Sequence, residues 1–123
     1  MKLKNKTIMI TGGTGSFGKK AIEYFSKKKE FSKIIVFSRD ELKQSELKKK
    51  FKSNKIRFFL GDVRDKNRLL IATKNVDYII HAAALKQVDT AEYNPTEFID
   101  TNIMGAKNII EICSLNKIKK VIA

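Results

Sequence analysis

The sequence is poor in several residue types that mark particular classes of protein. Its 123 residues include one cysteine, one proline and one histidine. A single cysteine, Cys113, excludes an internal disulfide and a cluster of thiolate metal ligands. No apolar run approaches the roughly 20 residues that a membrane helix needs. We therefore expect a cytoplasmic globular chain with no metal site and no membrane partner, in which Cys113 is a core thiol.

Acidic residues are also scarce: the sequence has 13 of them and 26 lysines and arginines, which gives a net charge of +13. Such an excess occurs in proteins that bind nucleic acids. Here the basic residues are dispersed, and the dense run 48–50 falls at the end of a predicted helix, where cations complement the helix dipole. No aromatic residues interleave with a basic stripe. A nucleic-acid binder is therefore the less favoured class, and we expect no nucleic-acid partner.

Strand-like and helix-like segments alternate along the chain. Apolar runs predict strands over 7–11, 33–38, 56–60, 76–81 and 121–123. Helices are predicted over 16–28 and from Pro95 to Leu115. Two more are predicted to follow aspartate N-caps: one runs from Asp40 to Phe51, and a short one after Asp65 covers 69–72. Strands that are apolar throughout are buried on both faces. The pattern predicts an α/β fold, a Rossmann-type doubly wound parallel sheet with helices on both faces.

The fifth predicted strand begins only at residue 121, and no helix follows it. A doubly wound nucleotide-binding domain normally has two halves, with its active site in the crevice between them. We therefore expect residues 1–123 to be the N-terminal portion of such a domain, truncated in the fifth strand.

A glycine-rich loop, TGGTGSFGK, follows the first strand. Residues 13–18 fit the dinucleotide fingerprint G-x-G-x-x-G, and Gly12, Gly15 and Gly18 fit the related spacing G-x-x-G-x-x-G. A P-loop nearly fits, but Lys20 stands where that motif requires Ser or Thr for magnesium. A turn without a ligand is a further alternative, although it would leave backbone N–H groups unpaired. The loop predicts nucleotide phosphates at the start of the first helix.

The end of the second strand distinguishes between nicotinamide cofactors. A dinucleotide site places its adenosine-ribose contact about 20 residues past the loop, and here Ser38, Arg39 and Asp40 occupy those positions. Serine and arginine suit a ribose 2′-phosphate, and Lys43 adds a second cation one turn into the next helix. We therefore predict NADP rather than NAD. The alternatives are that Arg39 is a solvated cation and that Asp40 binds a ribose 2′-hydroxyl.

Polar residues also follow the third and fourth strands. Asp62 either accepts a hydrogen bond from an adenine amine or caps a turn. His81 ends the fourth strand, and we expect it to pack there rather than act as a general base. The small residues after His81 let the backbone approach a cofactor. Lys86, in the next loop, is either solvent-exposed or in contact with an anionic substrate or a cofactor ribose.

Six segments occur in a characteristic order: TGGTGSFGK, FSRDELKQSE, RFFLGDVRD, HAAALKQV, AEYNP and TNIMGAKN. Together they resemble the inverting UDP-N-acetylglucosamine 4,6-dehydratases of the extended short-chain dehydrogenase/reductase superfamily. The resemblance covers essentially the whole chain. One departure is Asp89, where members of that family often carry proline.

The resemblance implies an NADP site built from four groups of residues. The glycine loop holds the pyrophosphate, the second strand end surrounds the 2′-phosphate, the third flanks the adenine, and later positions lie near the nicotinamide. In that order the residues are Gly12, Thr14, Gly15, Ser16, Phe17 and Gly18; Ser38, Arg39, Asp40, Glu41, Leu42 and Lys43; Asp62 and Val63; and Ala82, Lys86 and Thr101. The resemblance also places Lys86 against the sugar nucleotide.

The resemblance further implies a lyase that acts on a UDP-sugar in surface polysaccharide or glycan biosynthesis. In that chemistry hydride leaves C4, water is lost across C5 and C6, hydride returns to C6, and C5 is inverted. The catalytic Asp-Lys pair and Tyr-x-x-x-Lys of the family lie beyond these residues, and the pair Tyr24 and Lys28 falls in the first helix. We therefore expect no catalytic residue in this chain, no turnover by it alone, and a homo-oligomer when complete. The alternative is a non-catalytic NADP-binding module or a decayed, truncated gene product.

Overall fold

The computed structural model describes residues 5–12, 16–81 and 107–122. Its sheet contains five strands: β1 (Lys6–Thr11), β2 (Phe31–Ser38), β3 (Ile56–Leu60), β4 (Tyr78–His81) and β5 (Lys120–Ile122). The helices are α1 (Ser16–Ser26), α2 (Glu41–Lys50), α3 (Lys66–Ala72) and, before β5, α4 over residues 107–115. None of the helices in these ranges is long and apolar enough to cross a membrane.

The five strands are hydrogen-bonded in the order β3-β2-β1-β4-β5, and every pair is parallel. The sheet therefore grows outward from β1 in both directions, which is the doubly wound topology expected from the sequence. Thr11 is in register with Phe37 on one side and with His81 on the other. The last residues of β1, β2 and β4 thus meet at one edge of the sheet, the carboxyl edge, where folds of this kind bind ligands.

Apolar side chains are buried on both faces of the sheet. On one face Met9, Phe37 and Ile79 pack with residues of α3 and α4, among them Leu69 and Ile112. On the other face strand residues pack with α1 and α2; they include Ile8, Ile10, Ile34, Val36, Ile22 and Leu47. Full burial of one such side chain stabilises a fold by roughly 1.5–3 kcal/mol. The two-sided burial explains why the strands read as continuous apolar runs.

Most predicted boundaries agree with the structure to within two residues, and β3 agrees at both ends. Asp40 and Asp65 are N-caps, as predicted. The helix α1 ends at Ser26 rather than at Lys28, because the chain leaves it through a tighter turn in which the Lys28 N–H donates to the Phe25 carbonyl. The predicted helix start at Pro95 lies outside the described residues.

The buried face of α2 differs from the sequence prediction. Leu42 and Leu47 are its apolar residues, yet the Leu42 side chain is 70% exposed while Gln44 is buried. Gln44, Leu47 and Phe51 are spaced by three and four positions, which places them on one helix face. The face that packs on the sheet is therefore set by this spacing, and it includes a polar residue.

Cys113 lies on α4 against the core on the Met9 side of the sheet. Its thiol is unpaired with any other cysteine and is partly buried. That burial raises the pKa of the thiol above its ordinary value, which keeps it protonated and unreactive near neutral pH. These observations agree with a packing role for Cys113.

Candidate functional site

Backbone hydrogen bonds hold the strand ends together at the carboxyl edge. The Gly12 N–H donates to the Phe37 carbonyl at 2.8 Å, and the Gly61 N–H donates to the Ser38 carbonyl at 2.8 Å. Gly12 has a φ of 69°, in the left-handed region that glycine adopts without a steric penalty. Gly12 and Gly61, which directly follow β1 and β3, are therefore both held against the end of β2.

The helix α1 starts at this same edge. It begins at Ser16 and has no acidic residue in its first turn, so the partial positive charge of its N-terminus is not neutralised there. Phe17 is exposed and Gly18 is buried. Of the predicted phosphate loop, Thr14 and Gly15 lie outside the described residues.

The end of β2 presents cations beside a buried hydroxyl. Ser38 is 7% exposed, whereas Arg39 and Lys43 are exposed. The Asp40 carboxylate is used locally, because its Oδ1 accepts the Lys43 N–H at 3.0 Å and caps α2. The predicted residues Glu41 and Leu42 are exposed in the first turn of that helix. The structure thus brings the predicted positions 38–43 together at one corner of the carboxyl edge.

Asp62 stands between two arginines after β3. It accepts the Arg64 N–H at 2.9 Å and the Arg64 guanidinium at 2.8 Å, and Arg39 Nη1 lies 3.4 Å from it. Partial burial acts to raise the pKa of Asp62, but the hydrogen bonds and charge of Arg64, with the charge of Arg39, outweigh it and hold that pKa below its ordinary value. Asp62 therefore caps a turn and also tethers Arg39. The next residue, Val63, is buried in the core.

His81 is buried at the end of β4, next to β1. Its Nδ1 lies 2.7 Å from the Thr11 hydroxyl, while Nε2 has no hydrogen-bond partner within the described ranges. Burial lowers the pKa of the imidazole, so the ring is neutral at pH 7. A neutral ring bonded to a neighbouring strand fits the packing role predicted for His81.

Several predicted positions lie outside the described residues, and one tyrosine lies away from the site. Ala82, Lys86 and Thr101 lie outside the described residues, as does Tyr93. Tyr24 is exposed on α1, with the Lys28 ammonium 4.7 Å from its ring centre, at the end of that helix away from the carboxyl edge. Within the described ranges no three or more His, Cys, Asp or Glu residues are grouped as metal ligands.

One residue at this corner was missed by the sequence prediction. Gln44 is 6% exposed, and its amide contacts both Ser38 and the end of β3. The signal that identifies it is a polar residue on the same helical face as Leu47, where an apolar one is expected.

The fold and the carboxyl-edge site define a Rossmann-type α/β protein. The sequence model of the family described as "Polysaccharide biosynthesis protein" matches residues 8–123. The chain belongs to this family.

Curated relatives include two kinds of sugar-nucleotide enzyme. A Campylobacter jejuni protein named "UDP-N-acetylglucosamine 4,6-dehydratase (inverting)" is 56% identical over 118 residues, which are 96% of this chain and 35% of that protein. A Rickettsia bellii protein named "UDP-glucose 4-epimerase" is 49% identical over 121 residues, which are 96% of this chain and 36% of that protein. The chain thus spans about a third of the length of the curated relatives it matches.

Solved structures share the fold. Pen from Bacillus thuringiensis is 40% identical, with a TM-score of 0.90 over 98% of this chain and 37% of that one. A Bifidobacterium longum UDP-glucose 4-epimerase, in complex with NAD⁺ and UDP, is 24% identical, with a TM-score of 0.75 over 94% of this chain and 36% of that one. The latter likeness concerns the fold alone.

Proposed function

We propose that this chain is the NADP-binding portion of a C5-inverting UDP-N-acetylglucosamine 4,6-dehydratase. The observation that carries the proposal is the convergence at the carboxyl edge of the turn after β1, the cationic end of β2 and the turn after β3, in a chain of this family. The dehydratase from Campylobacter jejuni, at 56% identity, supports the choice of reaction over the 4-epimerases at 49%. The sugar substrate and its UDP group are assigned on the same basis.

The start of α1 fits the pyrophosphate of a dinucleotide. Gly12 adopts a left-handed conformation at the sheet edge, and the first turn of α1 holds no carboxylate that would repel an anion. A helix N-terminus favours a phosphate group through its unpaired N–H groups and its dipole. We assign this contact to Gly12, Thr14, Gly15, Ser16, Phe17 and Gly18.

The end of β2 fits a ribose 2′-phosphate better than a ribose 2′-hydroxyl. NAD sites commonly use a carboxylate here. In this chain the β2 end carries Ser38 and Arg39, and Asp40 is already engaged as the cap of α2. Arg39 and Lys43 supply positive charge, so we assign NADP. The Bifidobacterium longum epimerase was solved with NAD⁺, so the assignment of NADP here rests on the residues at the end of β2 in the present chain.

When bound, such a cofactor accepts a hydride from the sugar and returns it. The residues of this chain bind and orient it. Asp62 and Val63 flank the adenine in this proposal, and Ala82, Lys86 and Thr101 lie toward the nicotinamide, with Lys86 also meeting the sugar nucleotide. The neutral His81 joins β1 to β4 at the switch point of the sheet.

Cofactor titration of the chain tests the assignment. We expect NADPH to bind more tightly than NADH when nucleotide fluorescence is followed. Arg39→Ala removes a charge-assisted contact to the 2′-phosphate, so the affinity for NADPH falls by about tenfold or more while that for NADH changes little.

Arg57→Ala is the matched control, because Arg57 is an exposed arginine near the opposite end of β3. It leaves both affinities unchanged. Equal losses of NADPH and NADH affinity in Arg39→Ala would remove the 2′-phosphate assignment, and absence of binding by the unaltered chain would remove the dinucleotide site altogether.

A further inference from the structure

Gln44 is a buried polar residue on an otherwise highly charged helix. It is 6% exposed, and four of the ten residues of α2 are lysines, all of them exposed. Burial of an amide is unfavourable unless its hydrogen bonds are made. The environment of this side chain must therefore supply partners, and those partners lie at the carboxyl edge.

Three acceptors surround the Gln44 amide nitrogen. Nε2 lies 2.9 Å from Ser38 Oγ, 3.2 Å from the Ser38 carbonyl and 3.2 Å from the Phe59 carbonyl. Carbonyl oxygens only accept hydrogen bonds, so the nitrogen rather than the oxygen of the amide must face them. Gln44 thus donates to the ends of both β2 and β3.

This orientation determines what the Ser38 hydroxyl can do. Because Gln44 Nε2 is a donor, Ser38 Oγ accepts in that bond and keeps its own proton for a different acceptor. The same amide holds the Ser38 carbonyl, which also accepts the Gly61 N–H at 2.8 Å. Both the side chain and the backbone of Ser38 are therefore fixed.

We infer that Gln44 is a positioning residue for cofactor selectivity: it orients the Ser38 hydroxyl as a donor to the adenosine 2′-phosphate. The inference rests on the proposed function, because it requires NADP at the end of β2. Gln44 itself does not touch the cofactor. Its effect is specific to the phosphate, since a cofactor without that group offers the Ser38 proton no charged acceptor.

Gln44→Met tests the inference, because methionine is unbranched and of similar size but donates no hydrogen bond. We expect the affinity of the chain for NADPH to fall by about five- to tenfold, the effect of one lost hydrogen bond, with the affinity for NADH changing less than about twofold. Ser38→Ala has the same effect. In the Ser38→Ala background, Gln44→Met changes the ratio of the two affinities no further, because both substitutions remove the same interaction.

Leu47→Ala is the control for loosening of the helix. Leu47 is buried on the same face of α2 but packs among the apolar side chains of α1 and the sheet, so this variant lowers the thermal midpoint and leaves the NADPH to NADH ratio unchanged. Gln44→Asn, which shortens the side chain but keeps an amide, provides a second variant should Gln44→Met not fold, and the same loss of NADPH preference is expected.

The outcomes separate the two proposals. Suppose that the unaltered chain prefers NADPH, but that the Gln44 variants lose affinity for NADPH and NADH equally or lose affinity for neither. The role of Gln44 is then overturned, and the 2′-phosphate assignment is retained. If the unaltered chain shows no preference for NADPH, the 2′-phosphate assignment fails and the role of Gln44 fails with it.

Discussion

His81 is a buried titratable residue whose charge opposes folding. Burial lowers the pKa of its imidazole from the ordinary value of 6.5. In the unfolded chain the ring takes up a proton as the pH falls through 6.5, whereas in the folded chain it stays neutral until a lower pH. The unfolded state therefore binds more protons in this window, and stability is complete above pH 6.5 and is lost as the pH falls toward the folded-state pKa.

Replacement of His81 by a residue that does not titrate removes this pH dependence. We expect His81→Gln to lack the loss of stability that the unaltered chain shows as the pH falls below 6.5. Urea unfolding at several pH values between 7.5 and 5 measures it. Stability profiles that run parallel in the two chains would contradict the assignment of a depressed pKa to His81.

Gly61 shows at a single position how the end of β3 is packed. A Cβ at this position would lie 2.7 Å from Phe37 Cζ and 2.9 Å from Arg68 Cγ. Real Cβ contacts are longer, and Phe37 is only 1% exposed, so its ring has little room to move. The absence of a side chain at Gly61 thus allows Phe37 to fill the core beneath the carboxyl edge.

At the scale of the strand β3 and its neighbours, Gly61→Ala is expected to lower the free energy of unfolding by about 1–3 kcal/mol through overpacking. Chemical denaturation measures the loss. The double variant Gly61→Ala with Phe37→Leu reports its origin: if the clash with the ring is the cause, the combined loss is smaller than the sum of the two single losses. Additive losses would mean that the cost arises elsewhere.

The elements that sequence reasoning located correctly are those with a local chemical cause. Asp40 and Asp65 were identified as caps because a carboxylate three residues before a helical N–H satisfies it, whatever surrounds the helix. The parallel sheet followed from apolar runs that only two-sided burial explains. By contrast, the exposure of Leu42 and the burial of Gln44 depend on how α2 rotates against the sheet, which is a tertiary property.

The candidate site divides in the same way. The position of residues 38–43 at the carboxyl edge was predicted, because parallel strand ends and the residues that follow them lie at one edge. The bonds of Asp62 to two arginines were not, because they join side chains from separate loops whose relative positions the sequence does not encode locally. The role of Ser38 was assigned from its residue type, whereas its orientation required the contact with Gln44.

At the scale of the whole molecule, cofactor binding and turnover are expected to be separable. We expect a polypeptide of these 123 residues to bind NADPH and to leave UDP-N-acetylglucosamine unchanged, because they correspond to about 35% of the dehydratase from Campylobacter jejuni. Mass spectrometry of the sugar nucleotide measures the reaction. Loss of one water would show dehydration, and a changed sugar of unaltered mass would point to epimerisation; either product would overturn the expectation for this polypeptide.

A binding assay with duplex DNA tests whether the net charge of +13 marks a nucleic-acid binder. A nucleic-acid binder would show an affinity that falls steeply with salt. We expect only weak binding of this kind, because the lysines are dispersed, and no competition between DNA and NADPH.

The position of β1 at the centre of the sheet has a consequence for how the chain is assembled. Thr11 at its end bonds to His81, 70 residues later in the chain. Loop-closure entropy grows only with the logarithm of length, so this distant partner costs about 1 kcal/mol more than one within the first forty residues. During synthesis on the ribosome, one side of β1 remains without its partner until β4 has emerged, whereas its other side can pair as soon as β2 is made.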